Sequence, residues 1–510
     1  MVTGRGVSAY SVVVPGGSRI MNIADSIARH ASERPYGVAI IEDDKPIHFK
    51  TFDRLIWAAA AHMRRAGIAP GDVVGLTYPH STLYLVTLYA LARIGAVSLA
   101  LSVFDSQVLR TAYAQRFGAR WVVAPDPVAS LADIPTVLMQ GSDLRQPPVE
   151  GTEGLRFEGG DHPWFIRRTS GTTSEAKGVA ITHIADLREF QSHAAFYPGP
   201  DDRYLAVIDM NLTYGSLAAV RTLHAGGEVV IAKAPVLAQA MLDMVDRYAI
   251  TRLVVTPNYF DALMPVLPQD GVRCPTLRDV TVAGMAIPES LRREIRRRLT
   301  PNLMVRYGSN ETGPMTAADG AMQEKFPETV GAIQPDVELE IVDDHDQPLP
   351  RGELGRIRAR TPWTPSGYLN LPEEANKVFR NGWAYPGDVG VLSEEGMLFL
   401  KGRVDDMMNF DGIKIMPSDI EEALLQHPAV VEAAAFPARS QRHQNIPMAA
   451  VTVRSPVTPE ALLDYTKNLL GLRAPVLISV EPTLPKNEMG KVVKRELASR
   501  LTEKLPTEWL

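Results

Sequence analysis

The stretch Arg168-Thr169-Ser170-Gly171-Thr172-Thr173-Ser174-Glu175-Ala176-Lys177-Gly178 decides how the rest of this 510-residue chain is read. Every position from Thr169 to Ser174 is a small hydroxyl residue or glycine. The apolar, β-prone Trp164-Phe165-Ile166 precedes the stretch and Val179-Ala180-Ile181 follows it, which predicts a loop between two strands. Such a loop can hold polyphosphate: glycine lets the backbone approach closely, successive N–H groups form an anion nest, and hydroxyls donate further hydrogen bonds. Lys177 adds a mobile point charge. The order Lys177-Gly178 followed by a short apolar strand departs from the Walker loop, which ends Gly-Lys-Ser/Thr and opens a helix. Ser/Thr/Gly loops between strands are also common without any ligand. Alone, the loop leaves both readings open.

Working outward, the chain is too long for one domain and has ordinary globular composition, with 45% hydrophobic and 22% charged residues. A net charge of −6 gives no footing for nucleic acid or an anionic membrane. The single cysteine, Cys274, excludes an intramolecular disulfide and a multi-cysteine zinc site, and reads as buried filler in a reducing, cytoplasmic setting. Residues 1–20 carry four glycines and little periodicity, so a loose arm is expected, with Met21 as an alternative start. The most apolar long stretch, 83–101, is broken by Arg93 and Gly95 and reads as a buried helix and a strand, not a membrane span.

Between residues 24 and 124 helical and strand patterns alternate: helices over 24–31, 51–66, 81–94 and 108–117, strands over 38–41, 73–76, 97–101 and 121–124. That alternation predicts a layered α/β domain with a largely parallel sheet. Residues 125–160, rich in Pro, Gly and Asp, read as an irregular excursion. The alternation resumes with strands over 205–209, 228–232, 253–256 and 279–282 and a helix over 236–247. Pro288 opens a further helix bearing Arg292, Arg293, Arg296, Arg297 and Arg298, read as a solvated face because the whole chain is acidic. From 331 short β-prone runs between turns predict a small barrel or meander, and after about 405 comes a compact α+β unit of small-domain size.

Four more clusters carry chemistry. Tyr307-Gly308-Ser309-Asn310-Glu311-Thr312-Gly313 follows an apolar strand. Tyr307 offers an aromatic face, Gly308 and Gly313 permit a tight turn against a ligand, and Glu311 is a hard oxygen donor suited to magnesium. Tyr385-Pro386-Gly387-Asp388 places a carboxylate that can accept two hydroxyl protons. Arg403-Val404-Asp405-Asp406 with Gly412-Ile413-Lys414 lies where the texture changes, and Pro485-Lys486-Asn487-Glu488-Met489-Gly490-Lys491 lies near the end. Each alone has a plain reading: a strand turn, a turn aspartate, a linker, a solvated lysine.

In this order the five clusters resemble the signature motifs of the adenylate-forming superfamily, which holds acyl- and aryl-CoA synthetases, peptide-synthetase adenylation domains and luciferases. The chain departs from the usual pattern at Ser174, Ala176, Asn310 and Pro386. The resemblance implies a large N-terminal domain over 21–404, built of layered α/β subdomains plus a small β-barrel-like subdomain. A small mobile α+β domain over 405–510 would turn on a hinge at Asp405. It implies that Thr169, Ser170, Gly171, Thr172, Thr173 and Lys177 bind ATP phosphates. Gly284, Met285, Ala286, Tyr307, Asp388 and Arg403 would hold adenine and ribose, and Glu311 would bind Mg2+. Lys491, with Glu311 and Asn310, would be catalytic, and Gly412 would line a coenzyme A tunnel. Tyr214, Gly215, Tyr259, Gly308, Gly313 and Met315 would wall the acyl pocket, whose Thr213-Tyr214-Gly215 looks like that of benzoate-type ligases and suggests a small aromatic or cyclic acid. The implied function is an acid–CoA ligase taking a carboxylic acid, ATP and coenzyme A. Transfer of the acyl group to a separate carrier protein or an amine, a degenerate nucleotide-binding module, and a homodimer all stay open.

Overall fold

The computed structural model describes residues 12–13, 19–131, 133–144, 156–169, 177–233, 236–284, 287–410, 413–440, 444–486 and 492–505. The first sheet has six strands in the order Lys177–Thr182, Pro163–Thr169, Val97–Ala100, Val73–Leu76, Ala119–Ala124, Thr136–Leu138. Its pairings are parallel except the hairpin of Pro163–Thr169 with Lys177–Thr182. The hydroxyl-rich loop therefore joins two paired strands, as the flanking apolar triplets predict. Residues 170–176 themselves lie outside the described residues.

Helix Phe49–Ala66 shows why the local signals read correctly. Phe52, Ile56, Ala59, Ala60 and Met63 recur at helical spacing and are buried together. The helix stops at Gly67, whose φ of 104° lets its N–H turn back onto the Arg64 and Met63 carbonyls. Ser81 caps helix Thr82–Arg93, its hydroxyl accepting from the Tyr84 N–H. That helix is buried nearly all round, as the apolar run over 83–101 suggests, and strand Val97–Ala100 follows it. Among the described residues no helix is long and apolar enough to cross a membrane. Cys274 is buried, which pushes its thiol up to about 11.

The second sheet is a long composite. Arg203–Ala206, Glu228–Ile231, Val38–Glu42, Arg252–Val255, Asp279–Val282 and Leu303–Ser309 form its parallel part. From Leu303–Ser309 the ladder turns antiparallel through Gly313–Ala318 and Gly331–Ile333 to Met397–Arg403, Asp388–Leu392 and Leu354–Arg360. The β-rich stretch expected from residue 331 is thus a meander hydrogen-bonded onto the parallel sheet. A third sheet holds Met408–Phe410, Ile413–Ile415, Val430–Ser440, Gln444–Val453 and Leu477–Val480, covered by helices Pro417–Leu425, Pro459–Leu470 and Lys494–Thr502. The backbone passes from the second sheet to the third between Arg403 and Met408.

Three elements depart from expectation. Residues 207–209, expected as strand, are not: the strand ends at Ala206, and helix Thr213–Ala225, which was not foreseen, follows. Helix His183–Ser192 was not foreseen: Ile184, Leu187 and Phe190 recur at helical spacing, but the buried polar His183, Asp186 and Glu189 beside them blur the stripe. The arginine run on helix Glu289–Arg298 is not one solvated face. Arg292 and Arg298 are buried, donating to loop carbonyls of Ile287 and Thr329 and of Pro268, Met264 and Leu267. Only Arg293 and Arg297 of the five are exposed. Guanidinium forks satisfy several orphan carbonyls at once, so burial here is supported mainly by hydrogen bonds, with Glu294 3.6 Å from Arg298 as a further partner.

Candidate active site

The two large sheets meet at their hairpins. In one, Lys177 pairs in register with Thr169 and Gly178 with Arg168. A Cβ on Gly178 would come within 2.5 Å of the Phe117 ring, so only glycine fits beside that aromatic. In the other, Gly308 pairs with Pro314 and Ser309 with Gly313. A Cβ on Gly308 would sit 2.4 Å from the Gly313 carbonyl oxygen, and Gly313 itself has φ +70°. The tight turn expected of these two glycines is real, but it is tight against its own backbone. Asn310, at the tip, donates from Nδ2 to the Arg168 carbonyl at 2.7 Å and so ties one hairpin to the other.

Glu311 follows on this tip and is buried, which rules out a solvated turn glutamate. Tyr368 donates to its Oε1 at 2.5 Å. The Lys177 ammonium lies 5.4 Å from the centre of the Tyr368 ring and bonds Glu374 at 2.9 Å. Lys377 and then Lys177 hold the Glu374 carboxyl down at about 2. Neither Tyr368 nor Glu374 was foreseen. Pro372 at the start of helix Pro372–Val378, with Glu373 and Glu374 in its first turn, signals a helix N-terminus but not the partner it meets.

Tyr307, Asp388 and Arg403 form a second cluster. The Tyr307 hydroxyl donates to Asp388 Oδ2 at 2.6 Å, and burial followed by the Asp388 charge pushes that phenol well up. Arg403 donates from Nη1 to the Pro386 carbonyl at 2.6 Å and meets Asp388 Oδ1 at 3.3 Å. Asp388 and Arg403 are register partners on adjacent antiparallel strands, so the sheet itself sets the pair. Gly387 has φ +84°, and a Cβ there would press within 2.8 Å of the guanidinium.

One cleft of about 2190 Å³ connects these clusters. Lys177, Gly284, Tyr307, Gly308, Asn310, Glu311, Gly313, Asp388, Arg403 and Asp405 line it, as do Tyr214 and Tyr259. The small unit adds Glu421, Glu422 and Lys494 to the wall, with Lys494 bonded to Glu421 at 2.7 Å. Two residues expected in the acyl pocket do not line it. Gly215 backs onto the Asp209 carbonyl, where a Cβ would stand 2.4 Å from the oxygen, and fully buried Met315 packs in the core behind the sheet. Met285, Ala286, Gly412 and Lys491 lie outside the described residues, as do Ser170, Gly171, Thr172 and Thr173, and nothing is described of the Thr169 side chain.

Among the described residues no group of three or more His, Cys, Asp or Glu could hold a metal. A lone buried carboxylate at Glu311 beside a large cleft still suits magnesium, which keeps most of its shell from phosphate and water and takes one or two protein carboxylates.

A family model described as AMP-binding enzyme matches residues 27–369, and one described as AMP-binding enzyme C-terminal domain matches residues 419–491. A long-chain-fatty-acid–CoA ligase of Escherichia coli O6:H1 is 26% identical over 340 residues, covering 65% of this chain and 61% of that enzyme's length. 4-Coumarate–CoA ligase 5 of Oryza sativa is 26% identical over 90% of each chain, and an oxalate–CoA ligase of Arabidopsis thaliana is 25% identical over 90% of this chain and 94% of its own. Among solved structures, ATP-bound MatB from Rhodopseudomonas palustris superposes with a TM-score of 0.84 at 24% identity, covering 95% of this chain and 99% of that one. The o-succinylbenzoate CoA synthetase of Bacillus subtilis in complex with its acyl-adenylate superposes at 0.83 and 22% identity, covering 92% and 97%. With two thirds of its length matched by the family model, and with the matching fold, the chain belongs to the AMP-binding enzyme family.

Proposed function

We propose that the chain is an ATP- and magnesium-dependent carboxylic acid–CoA ligase. A carboxylate oxygen attacks the α-phosphorus of ATP and pyrophosphate leaves; the coenzyme A thiol then attacks the acyl-adenylate carbonyl and AMP leaves. The observation that carries this reading is the convergence of Lys177, Asn310, Glu311, Asp388 and Arg403 on one cleft that the small unit also lines. The protein's part is positioning and charge neutralisation. Lys177 and the hydroxyl loop Thr169–Thr173 bind the phosphates. Asp388, backed by Tyr307 and Arg403, accepts the ribose hydroxyls, and Gly284 with Met285 and Ala286 borders the adenine. Asn310 donates to an α-phosphate or carboxylate oxygen. Glu311 holds the magnesium ion, which when bound neutralises phosphate charge. Lys491 brings a positive charge between the acyl carboxylate and the α-phosphate, and Gly412 borders the coenzyme A path.

The chain divides into an arm over 1–20, a large domain over 21–404 and a small domain over 405–510. Its hinge is Asp405, whose side chain is 84% exposed in the crossing between the second and third sheets. The acid is compact and ring-like, because Tyr214 and Tyr259 wall the cleft beside Gly308. The test is magnesium-dependent pyrophosphate release from ATP across a panel of acids, with and without coenzyme A. Release dependent on one acid class, with thioester and AMP appearing only when coenzyme A is added, is expected. Pyrophosphate exchange without thioester would move the acceptor to a carrier or an amine. Silence with ATP bound would leave a nucleotide-binding module.

A further inference from the structure

The cleft runs inward past the nucleotide clusters, between helix Thr213–Ala225 and the strands Arg252–Val255, Asp279–Val282 and Leu303–Ser309. Its inner wall mixes apolar side chains such as Leu217, Leu253 and Val305 with polar and charged ones. Tyr214 and Arg221 stand seven residues apart on the helix, about two turns, with small Ala218 between them, and all three line the cleft. Arg306 enters from the strand one residue before Tyr307, and Tyr204 enters from strand Arg203–Ala206. Both guanidiniums lie over the ring of Tyr197, Arg221 at 4.5 Å and Arg306 at 5.1 Å from its centre.

The charges at this end are largely offset. Arg221 bonds Glu189 at 2.5 Å, and Tyr197 donates to the same carboxylate at 2.6 Å. Arg167 pairs with Asp186 and lies 3.7 Å from Glu189. Arg306 donates to the Phe196 carbonyl and reaches Asp279 only at 3.7 Å, while Asp279 is held by Arg252 at 3.0 Å and by Thr281 at 2.5 Å. Six buried polar atoms at this end have no hydrogen-bond partner among the described residues: the Tyr214 and Tyr204 hydroxyls, the Nε groups of Arg306, Arg221 and Arg167, and Glu189 Oε2. Buried polar groups are rarely left so unless something else fills the space. Burial pushes the Tyr214 phenol up to about 12, while the charges of Arg306 and Arg221 pull it back, so the hydroxyl keeps its proton and can donate.

We infer that the acid activated here carries a second oxygen acceptor, at the end remote from the reacting carboxylate, and that Tyr214, Tyr204 and Arg306 receive it. This rests on the acid-ligase reading above and names its substrate class. An acceptor oxygen satisfies donors that an apolar tail would leave unpaired, and a site built for such an oxygen rejects the analogue lacking it. Tyr214 and Arg306 would then discriminate between acids, not activate them.

The test compares matched acids on the unaltered enzyme by ATP–pyrophosphate exchange: benzoate with para-hydroxybenzoate and terephthalate, and hexanoate with adipate. The oxygen-ended member should win in kcat/KM by at least about tenfold. The hydroxyl and carboxylate arms distinguish a neutral acceptor from an anion. Tyr214→Phe, which keeps the ring and removes only the hydroxyl, should cut that ratio several-fold, through KM more than kcat. Exchange that favours benzoate, hexanoate or a longer alkyl acid would overturn the inference and leave the ligase reading standing. So would a preference that both Tyr214→Phe and Tyr204→Phe leave unchanged. Silence with every acid while ATP still binds would overturn the ligase reading and this inference with it.

Discussion

At the scale of single residues the cleft works through pairs that the chain brings together from far apart. Glu311 is the sharpest case. Its residue type in a Gly-flanked turn already points to magnesium, and the fold adds what the sequence could not: burial, and a hydroxyl from Tyr368 that orients one oxygen. Glu311→Gln keeps the shape and an acceptor for Tyr368 but removes the charge. Adenylation should fall about a hundredfold, the size of effect that follows loss of one electrostatic contact aimed at developing charge. The magnesium concentration giving half-maximal rate should rise as well. Rates measured across a magnesium titration check both, and a variant with unchanged rate and magnesium dependence would remove Glu311 from the metal role. Asp388 and Arg403 were singled out by the motif resemblance, and the fold makes them register partners that line the same cleft. Tyr368 and Glu374 were not legible, because their roles exist only once the segment after Gly367 folds over Lys177, a contact separated by 197 residues in the case of Glu374.

At the scale of elements the legible parts were those whose signal is local. The loop between two apolar triplets, the Gly67 stop, the Ser81 cap and the buried helix and strand over 83–101 all came from patterns within a few residues. Helices His183–Ser192 and Thr213–Ala225 were illegible for a physical reason. Each is buried on several sides, and the first buries a histidine and two carboxylates, so no clean amphipathic stripe separates inside from outside. Strand Gly313–Ala318 was missed because Gly313 and Pro314 read as punctuation, although here they begin the return arm of a hairpin. That hairpin carries Asn310 and Glu311, so its turn can be tested as a unit. Gly308→Ala would set a methyl 2.4 Å from the Gly313 carbonyl oxygen. Backbone cannot yield there as a side-chain tip could, and the expected cost is about 1–3 kcal/mol of stability. Adenylation should drop beyond what the stability loss explains, since the tip bearing Glu311 must move. Denaturant midpoints and exchange rates measured on the same preparation check this; full activity at unchanged midpoint would show the hairpin to be slack.

At the scale of the whole molecule two properties follow from how the sheets are joined. The first is acid sensitivity. His183 accepts the Ile23 N–H at 3.2 Å and stacks near Trp164, and burial, reinforced by the charge of nearby groups, brings both His183 and His224 down to about 3. The sign is set by the unfolded chain, whose histidines bind protons near 6.5 while these native ones do not. Their contribution is therefore intact above about pH 6.5 and lost as the pH falls toward 3. At pH 5.5 each costs about 1.4 kcal/mol, so the pair should remove about 2–3 kcal/mol between pH 7 and 5.5. Thermal melts across that range check it, with a flatter profile expected for His183→Gln; a melting temperature that rises on acidification would refute the assignment. The second concerns the hinge proposed at Asp405. Among the described residues the stretch joining the second and third sheets in sequence runs from Arg403 to Met408, with Asp405 exposed in it and Arg403 holding both Asp388 and, at 3.8 Å, Asp405. Rotation of the small unit must be absorbed by the φ and ψ of a few such residues. Asp405→Pro fixes one of those angles without touching the cleft's other groups. If rotation separates the two half-reactions, the variant should keep pyrophosphate exchange within a few-fold and lose thioester formation by about a hundredfold or more, because a gating motion is lost while the adenylation constellation is not. Equal loss in both half-reactions would mean that Asp405 serves the adenylating arrangement itself, and no loss in either would place the pivot elsewhere in the crossing.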